Sequence, residues 1–342
     1  MGESAAALAL LLTLGLGSSC GGSRHADADA AVAPATPRAD EPARDLYAGP
    51  PGACASPEDA LGDTSGLDPV ARAMLADDGR LHVVAEPSSW YDAHSEPEQS
   101  FADWAERPTR RDAGRRRIYL QPIGDLGGEA GDAPLAAADV AAFLAAYFQR
   151  PVYVLRPVPV AGLALPLRSR ESGPQLATPD VIGWLVPRVP SDAYALVAVT
   201  MTDLYAGEGY NFVFGWAAYE ARVGVYSFAR YDEAFDHGTR APGWETRFRT
   251  RAIGLMAHEV GHTFGLRHCV YYDCLMNAVD SLYELDEHPA LPCPVCLRKL
   301  YTALGFDPRV REEALLSFYR AFNLVELSLV SEQRLELMRQ AE

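Results

Sequence analysis

The stretch HEVGHTFGLRH, residues 258–268, constrains the fold of this chain more than any other. His258 and His262 are four residues apart, so on a helix their imidazoles project from one face and can bind one ion. Gly265 follows three residues later and permits the left-handed backbone that ends a helix. The resulting turn would bring His268 to the same ion. Three nitrogen ligands leave the fourth coordination position open, as in catalytic zinc sites.

Glu259 lies one step round the same helix, where it can reach a water molecule on the ion without becoming a ligand. Zinc held by three histidines lowers the pKa of such a water toward neutrality and polarises a carbonyl group. Glu259 would take the proton from the attacking water and deliver it to the departing amine. The motif therefore predicts a hydrolase with Glu259 as its catalytic residue.

Four cysteines follow the histidine motif in two closely spaced pairs. They are Cys269, Cys274, Cys293 and Cys296. Their C-x4-C and C-x2-C spacings suit a tetrahedral zinc ion held by thiolates. Two disulfides are the alternative, which export from the cell would favour. We predict a second, structural zinc ion that helps to hold His268, because Cys269 is the next residue.

Helix and strand patterns alternate through most of the chain. Strand-like runs cover residues 118–124, 152–160, 193–201, 211–219 and 221–231, and helical patterns cover 134–150, 178–186, 246–265 and 324–341. The run 193–201 is continuously apolar, as expected of a central strand covered on both faces. Thr178 is predicted to cap its helix, and the last helix is predicted to pack on the outside. The pattern indicates one α/β domain.

The run HEVGHTFGLRHCVYYDCLM, closed by CPVC, resembles the archaemetzincins, a family of metzincin-type zinc peptidases. Other segments are also similar to that family, so the likeness spans roughly residues 90–320. It implies a metzincin-like catalytic domain with a twisted mixed sheet, one antiparallel edge strand, an active-site helix and C-terminal helices. It implies two zinc ions, one catalytic and one structural, and peptidase activity, which in some members is aminopeptidase activity. It also implies that Met276 lies beneath the catalytic zinc in a tight turn.

The N-terminal region predicts export. Residues 1–19 contain an apolar run that is too short to span a bilayer and fits a signal peptide. The ending LGSSC resembles a lipoprotein cleavage site, which would leave Cys20 lipidated and tethered to a membrane. The expected location is therefore a membrane-anchored lipoprotein, or the periplasm or extracellular space. Cys54 has no assigned role.

The composition predicts four regions. They are a signal peptide at 1–19, a flexible linker rich in Ala, Pro and Asp at 20–65, a zinc metallopeptidase domain at 66–322 and a C-terminal helix at 323–342. A net charge of −16 argues against sequence-independent binding of nucleic acid, which requires Lys and Arg at phosphates. We expect a monomer that hydrolyses short peptides, with an extended peptide pairing along the strand at 211–219. Two alternatives stay open at this point, a non-catalytic surface lipoprotein stabilised by zinc and a zinc amidase with a non-peptide substrate.

Overall fold

The computed structural model describes residues 56–76, 97–106, 115–126, 134–218, 221–279 and 281–342. The predicted signal peptide, Cys20 and the linker up to residue 55 lie outside the described residues. Within the described ranges, no helix has the length and apolar character needed to cross a bilayer.

Helices and strands alternate in the described part of the chain. The helices are α1 (Pro57–Leu61), α2 (Pro69–Met74), α3 (Phe101–Glu106), α4 (Ala137–Phe148), α5 (Thr178–Leu185), α6 (Trp244–Thr263), α7 (Leu282–Glu287), α8 (Pro294–Leu304), α9 (Pro308–Ala321) and α10 (Val325–Gln340). The strands are β1 (Arg117–Ile123), β2 (Val152–Val154), β3 (Leu167–Arg170), β4 (Gly173–Ala177), β5 (Ala193–Thr200), β6 (Asp203–Tyr205), β7 (Gly215–Ala218) and β8 (Val223–Ser227).

Five of the strands form the main sheet, in the order β2-β1-β5-β8-β7. The first four are parallel, and β7 pairs antiparallel with β8 at one edge. This confirms the predicted mixed sheet with one antiparallel edge strand. The central strand β5 is covered on both faces. Ala195, Val197 and Val199 face the core that contains α6, whereas Leu196 and Ala198 face the core that contains α5.

A second sheet of β3, β4 and β6 lies beside the main one and was not predicted. Its strand β6 begins with the buried Asp203, which accepts hydrogen bonds from both Arg230 nitrogens at 2.8 Å and from Gln175 at 2.6 Å. The Arg230 guanidinium also stacks over the ring of Phe212, 3.6 Å from its centroid. This network ties the chain leading into the edge strand β7 to both sheets.

Two predicted elements have different ends in the structure. β2 stops at Val154 instead of residue 160, because Pro157 and Pro159 cannot donate to a strand ladder. Thr178 does not cap α5, so that prediction is wrong. Ala177 occupies the N-cap position because it is still paired in β4, and Thr178 is already the first helical residue.

The predicted linker extends too far toward the C-terminus. Helix α1 lies inside it, and its Ala60 is fully buried in the core. Arg298 of α8 donates hydrogen bonds to the backbone oxygens of Leu61 and Asp63. Since Ala60 is the one fully buried residue of this short helix, its composition resembles that of a linker. The folded domain therefore begins no later than Ser56.

Helix α10 does not pack only on the outside. It buries Leu327, Val330 and Met338 against the rest of the domain. Its N-terminal half also lines the cleft described below, with Val325 and Leu329 one turn apart on its open face. The C-terminal helix is thus a wall of the functional site.

Candidate zinc centres and the active-site cleft

Helix α6 and the turn after it bring the three predicted histidines together. His258 and His262 lie on one face of the helix, with their Nε2 atoms 3.0 Å apart. Gly265 has a φ of 80°, in the left-handed region, so the chain reverses after the helix. His268 returns to the same place, and the ligand atoms of all three side chains lie within 4.8 Å of one another.

Hydrogen bonds to the backbone orient two of these rings. Nδ1 of His258 donates to the carbonyl oxygen of Leu275 at 2.8 Å, and Nδ1 of His262 donates to that of Leu266 at 2.7 Å. Both Nε2 lone pairs therefore point into the site, as in zinc centres with oriented histidine ligands. A tetrahedral zinc ion would place two such nitrogens about 3.3 Å apart. Burial, together with the neighbouring imidazoles, lowers the pKa of His262, so this ring is neutral and able to bind a metal.

A distant segment fixes the turn that carries His268. The side chain of Gln99 donates to the carbonyl oxygen of Gly265 and accepts from the amide of Arg267, both at 3.0 Å. Lys299 donates to the backbone and side-chain oxygens of Gln99. The Trp104 indole donates at 3.0 Å to the carbonyl group just before Gly265. Sequence reasoning missed these residues, because none of them stands in a motif.

Met276 lies buried against the C-terminal end of α6. A Cβ atom at Gly261 would come within 3.1 Å of the Met276 sulfur, so this close approach favours glycine in the helix. The carbonyl oxygen of Met276 accepts a hydrogen bond of 2.7 Å from the amide of Cys269, which joins the turn to the residue after His268. This position is compatible with the floor role that the resemblance implies for Met276.

The four cysteines form a second buried cluster, with all sulfur atoms within 4.8 Å of one another. The sulfurs of Cys269 and Cys293 are 3.7 Å apart, far beyond the roughly 2.05 Å of a disulfide. A tetrahedral zinc ion with Zn–S bonds of 2.3 Å would separate its sulfurs by about 3.8 Å. The cluster therefore has the dimensions of a four-thiolate zinc site, as the sequence predicted.

Polar contacts in this cluster also suit bound thiolates. The amides of Met276 and Cys293 point at the sulfur of Cys274, at 3.4 and 3.2 Å. Burial raises the pKa of the Cys274 thiol, whereas hydrogen bonds from the neighbouring thiols lower the pKa of Cys269. Burial disfavours a group of negative thiolates. A bound divalent cation would offset that cost and stabilise them. The buried Asn277, which sequence reasoning also missed, donates to two backbone oxygens of the loop, including that of Cys269 at 2.7 Å.

Glu259 lies with the three histidines in a cleft of about 1710 Å³. Phe214 and Trp216 of the edge-strand region form one wall, and α10 forms another. Burial raises the pKa of the Glu259 carboxyl to about 8. A neighbouring divalent ion would lower that pKa again, because it favours the carboxylate.

The raised pKa of Glu259 predicts a pH-dependent stability when the histidine site has been emptied by a mild chelator. Between the unfolded pKa of 4.5 and the folded pKa of about 8, only the folded state holds the proton. The free energy of unfolding therefore falls as pH rises through this window. Glu259→Gln removes the titrating group. We therefore expect the melting temperature of the variant, relative to that of wild type, to rise from pH 5 to pH 8. A difference that does not change with pH would contradict the raised pKa.

Comparisons with known proteins agree with this geometry. Residues 192–302, which include both clusters, match peptidase family M54. Archaemetzincin-2 of Pongo abelii is 34% identical over 262 residues, a match that covers 68% of this chain and 72% of the relative. Archaemetzincin-1 of Homo sapiens is 33% identical over 235 residues, covering 60% of this chain and 47% of the relative. The crystal structure of archaemetzincin from Methanopyrus kandleri is 26% identical, covers 58% of this chain and 99% of that chain, and has a TM-score of 0.42.

The likeness to archaemetzincin-2 extends well beyond the metal-binding motif, over most of both chains. The histidine and cysteine clusters suit two zinc ions, one catalytic and one structural. The chain therefore belongs to the archaemetzincin family and is a zinc metallopeptidase.

Proposed function

We propose that this metallopeptidase hydrolyses short peptides, with the catalytic zinc held by His258, His262 and His268 and with Glu259 as general base. One observation carries the proposal, the presence of a partly buried carboxyl group in the same cleft as three converging imidazoles. When bound, zinc supplies Lewis acidity, which activates a water molecule and polarises the scissile carbonyl.

Glu259 is suited to move a proton twice in this reaction. It accepts the proton of the attacking water and then donates it to the departing amine. Burial of the carboxyl group favours its protonated form, whereas bound zinc would favour the carboxylate that accepts the first proton.

The edge strand β7 supports an extended peptide as the substrate. Among the described residues β7 pairs on one side only, with β8, and its residues Gly215, Trp216 and Ala217 line the cleft. The free edge offers backbone donors and acceptors to a peptide, which would add to the sheet as a further strand. The apolar walls from Phe214 and α10 would contact its side chains.

Aminopeptidase action is the form that we propose to test first. We expect short peptides with a free N-terminus to be cleaved about a hundredfold faster than the same peptides acetylated at the N-terminus, because acetylation removes the charged ammonium group that an aminopeptidase recognises. Initial rates on a matched library, followed by mass spectrometry, measure this ratio. Equal rates with internal cleavage would indicate endopeptidase action, and cleavage of non-peptide amides alone would favour the amidase alternative.

We also propose that the protein is exported and anchored through a lipid on Cys20. The support is the short apolar run followed by LGSSC at the N-terminus. Cys20→Ser should move the protein from the membrane fraction to the soluble exported fraction, because serine lacks the thiol to which the proposed lipid is attached. Wild type and variant found in the same fraction would contradict lipidation.

A further inference from the structure

Two fully buried tyrosines near the catalytic centre have no partner for their hydroxyl groups. Tyr226 on β8 and Tyr231 just after it are 0% exposed, and neither hydroxyl has a hydrogen-bond partner among the described residues. Buried hydroxyls are nearly always paired, because an unpaired one costs free energy. Phenylalanine would fill the same space without that cost. The two hydroxyls therefore need an explanation other than packing.

The strands are built to admit the Tyr226 ring. A Cβ atom at Gly224 would overlap the Tyr226 hydroxyl, and a Cβ atom at Gly215 would overlap its ring. Glycines on β8 and on the paired strand β7 thus leave a space in which the ring lies along the sheet. Tyr226 belongs to the same core cluster as Met256 and Val260 of the active-site helix. The hydroxyl is held between the sheet and α6.

Tyr231 reaches the same region from the cleft. Its ring lies 5.4 Å from that of Phe214 and 6.5 Å from that of Phe248, measured between centroids. It lines the cavity that contains Glu259 and the histidines. Arg251 of α6 donates a hydrogen bond of 3.2 Å to its backbone oxygen, which fixes it against the helix.

Glu259 is a charged group that acts on both phenols, and it lines the same cavity as Tyr231. It makes no hydrogen bond or ion pair with any described residue, although a general base must be held in one orientation. Burial, and next the charge of Glu259, raises the pKa of Tyr226 and of Tyr231. Both phenols therefore keep their protons and can serve as hydrogen-bond donors.

We propose that Tyr226 and Tyr231 are positioning residues whose hydroxyls donate to the Glu259 carboxylate and hold it for proton transfer. The inference rests on the proposed role of Glu259 as general base. Catalytic hydrogen bonds often close only when metal and substrate are bound, so open donors beside the carboxyl group are expected before loading. Neither tyrosine needs to touch the substrate.

The test compares Tyr226→Phe, Tyr231→Phe and the double variant with wild type. We expect each single change to lower kcat about tenfold and the double change about a hundredfold, as for a displaced catalytic group. KM and zinc content should stay the same, because neither hydroxyl binds metal or substrate. The melting temperature should stay the same or rise, since a buried unpaired hydroxyl is removed.

Tyr147→Phe is the matched control. Tyr147 is also buried with an unpaired hydroxyl, but its ring stacks against Arg311, and Glu259 is not among the groups that shift its pKa. This variant should keep wild-type kcat. A loss of kcat as large as in the two test variants would show a general effect of such substitutions and overturn the proposal.

Two further results would overturn it. The first is wild-type kcat in the double variant, and the second is a loss of activity that follows a matching loss of zinc or of melting temperature. Glu259→Gln, assayed in parallel, separates the two levels of inference. An inactive Glu259→Gln beside a fully active double variant rejects the tyrosine role alone, whereas an active Glu259→Gln rejects the proposed base and the tyrosine role together.

Discussion

Replacing Glu259 with glutamine lowers peptide hydrolysis by about 10²- to 10⁴-fold, the usual contribution of a general base, while both zinc ions stay bound. The amide has nearly the shape of the carboxyl group but cannot accept the proton of the attacking water. Glu259 makes no hydrogen bond or ion pair with the described residues, so the change breaks no structural contact there. The histidine ligands keep their own hydrogen bonds to Leu275 and Leu266.

The measurement pairs kcat/KM on a fluorogenic peptide with zinc content per chain by mass spectrometry. Glu245→Gln, in the first turn of the same helix, is the matched control and should keep wild-type kcat/KM. If Glu259→Gln retained full activity with both ions bound, the general base would have to be another group. Loss of zinc together with activity would instead indicate a role for Glu259 in metal binding.

Replacing Cys293 with serine removes the second zinc ion and lowers the stability of the segment that carries the four cysteines, residues 269–296. A structural zinc ion contributes roughly 10–16 kcal/mol of binding free energy in small zinc domains, so its loss affects folding directly. Cys293 also caps α8, and its amide donates to the sulfur of Cys274. Since Cys269 adjoins His268, we expect the histidine site to lose affinity for its own ion and hydrolysis to fall.

Zinc content and thiol titration measure this effect. Wild type should contain two zinc ions, and its four clustered thiols should react only after chelation. Cys293→Ser should contain one ion or none and melt at a lower temperature, whereas Cys54→Ser should match wild type. A wild-type protein with one zinc ion and no clustered thiols that react after chelation would support disulfides instead.

The site could be predicted from the sequence where its geometry is local. The spacing of His258 and His262 on a helix places both rings on one face whatever surrounds them, and Gly265 marks the turn. The two cysteine pairs are also local patterns. Because β5 is covered on both faces, its apolar run identified the centre of the sheet.

Other parts of the site depend on contacts between distant segments, which no local pattern records. Gln99 meets Gly265 only after the chain has folded, and α10 lines the cleft although its sequence resembles that of an ordinary surface helix. The prediction for Thr178 failed for the same reason. Strand pairing keeps Ala177 extended and moves the helix start by one residue.

The contact between Gln99 and the turn after α6 has a consequence for the order of assembly. The segment that matches the peptidase family, residues 192–302, lacks both Gln99 and Trp104. Expressed by itself, it would keep the helical histidine pair but lose these two contacts to the turn that carries the third imidazole. During biosynthesis the hydrolytic centre would be complete only after the two ends of the domain had met. A partly folded or truncated chain would therefore be a poor hydrolase.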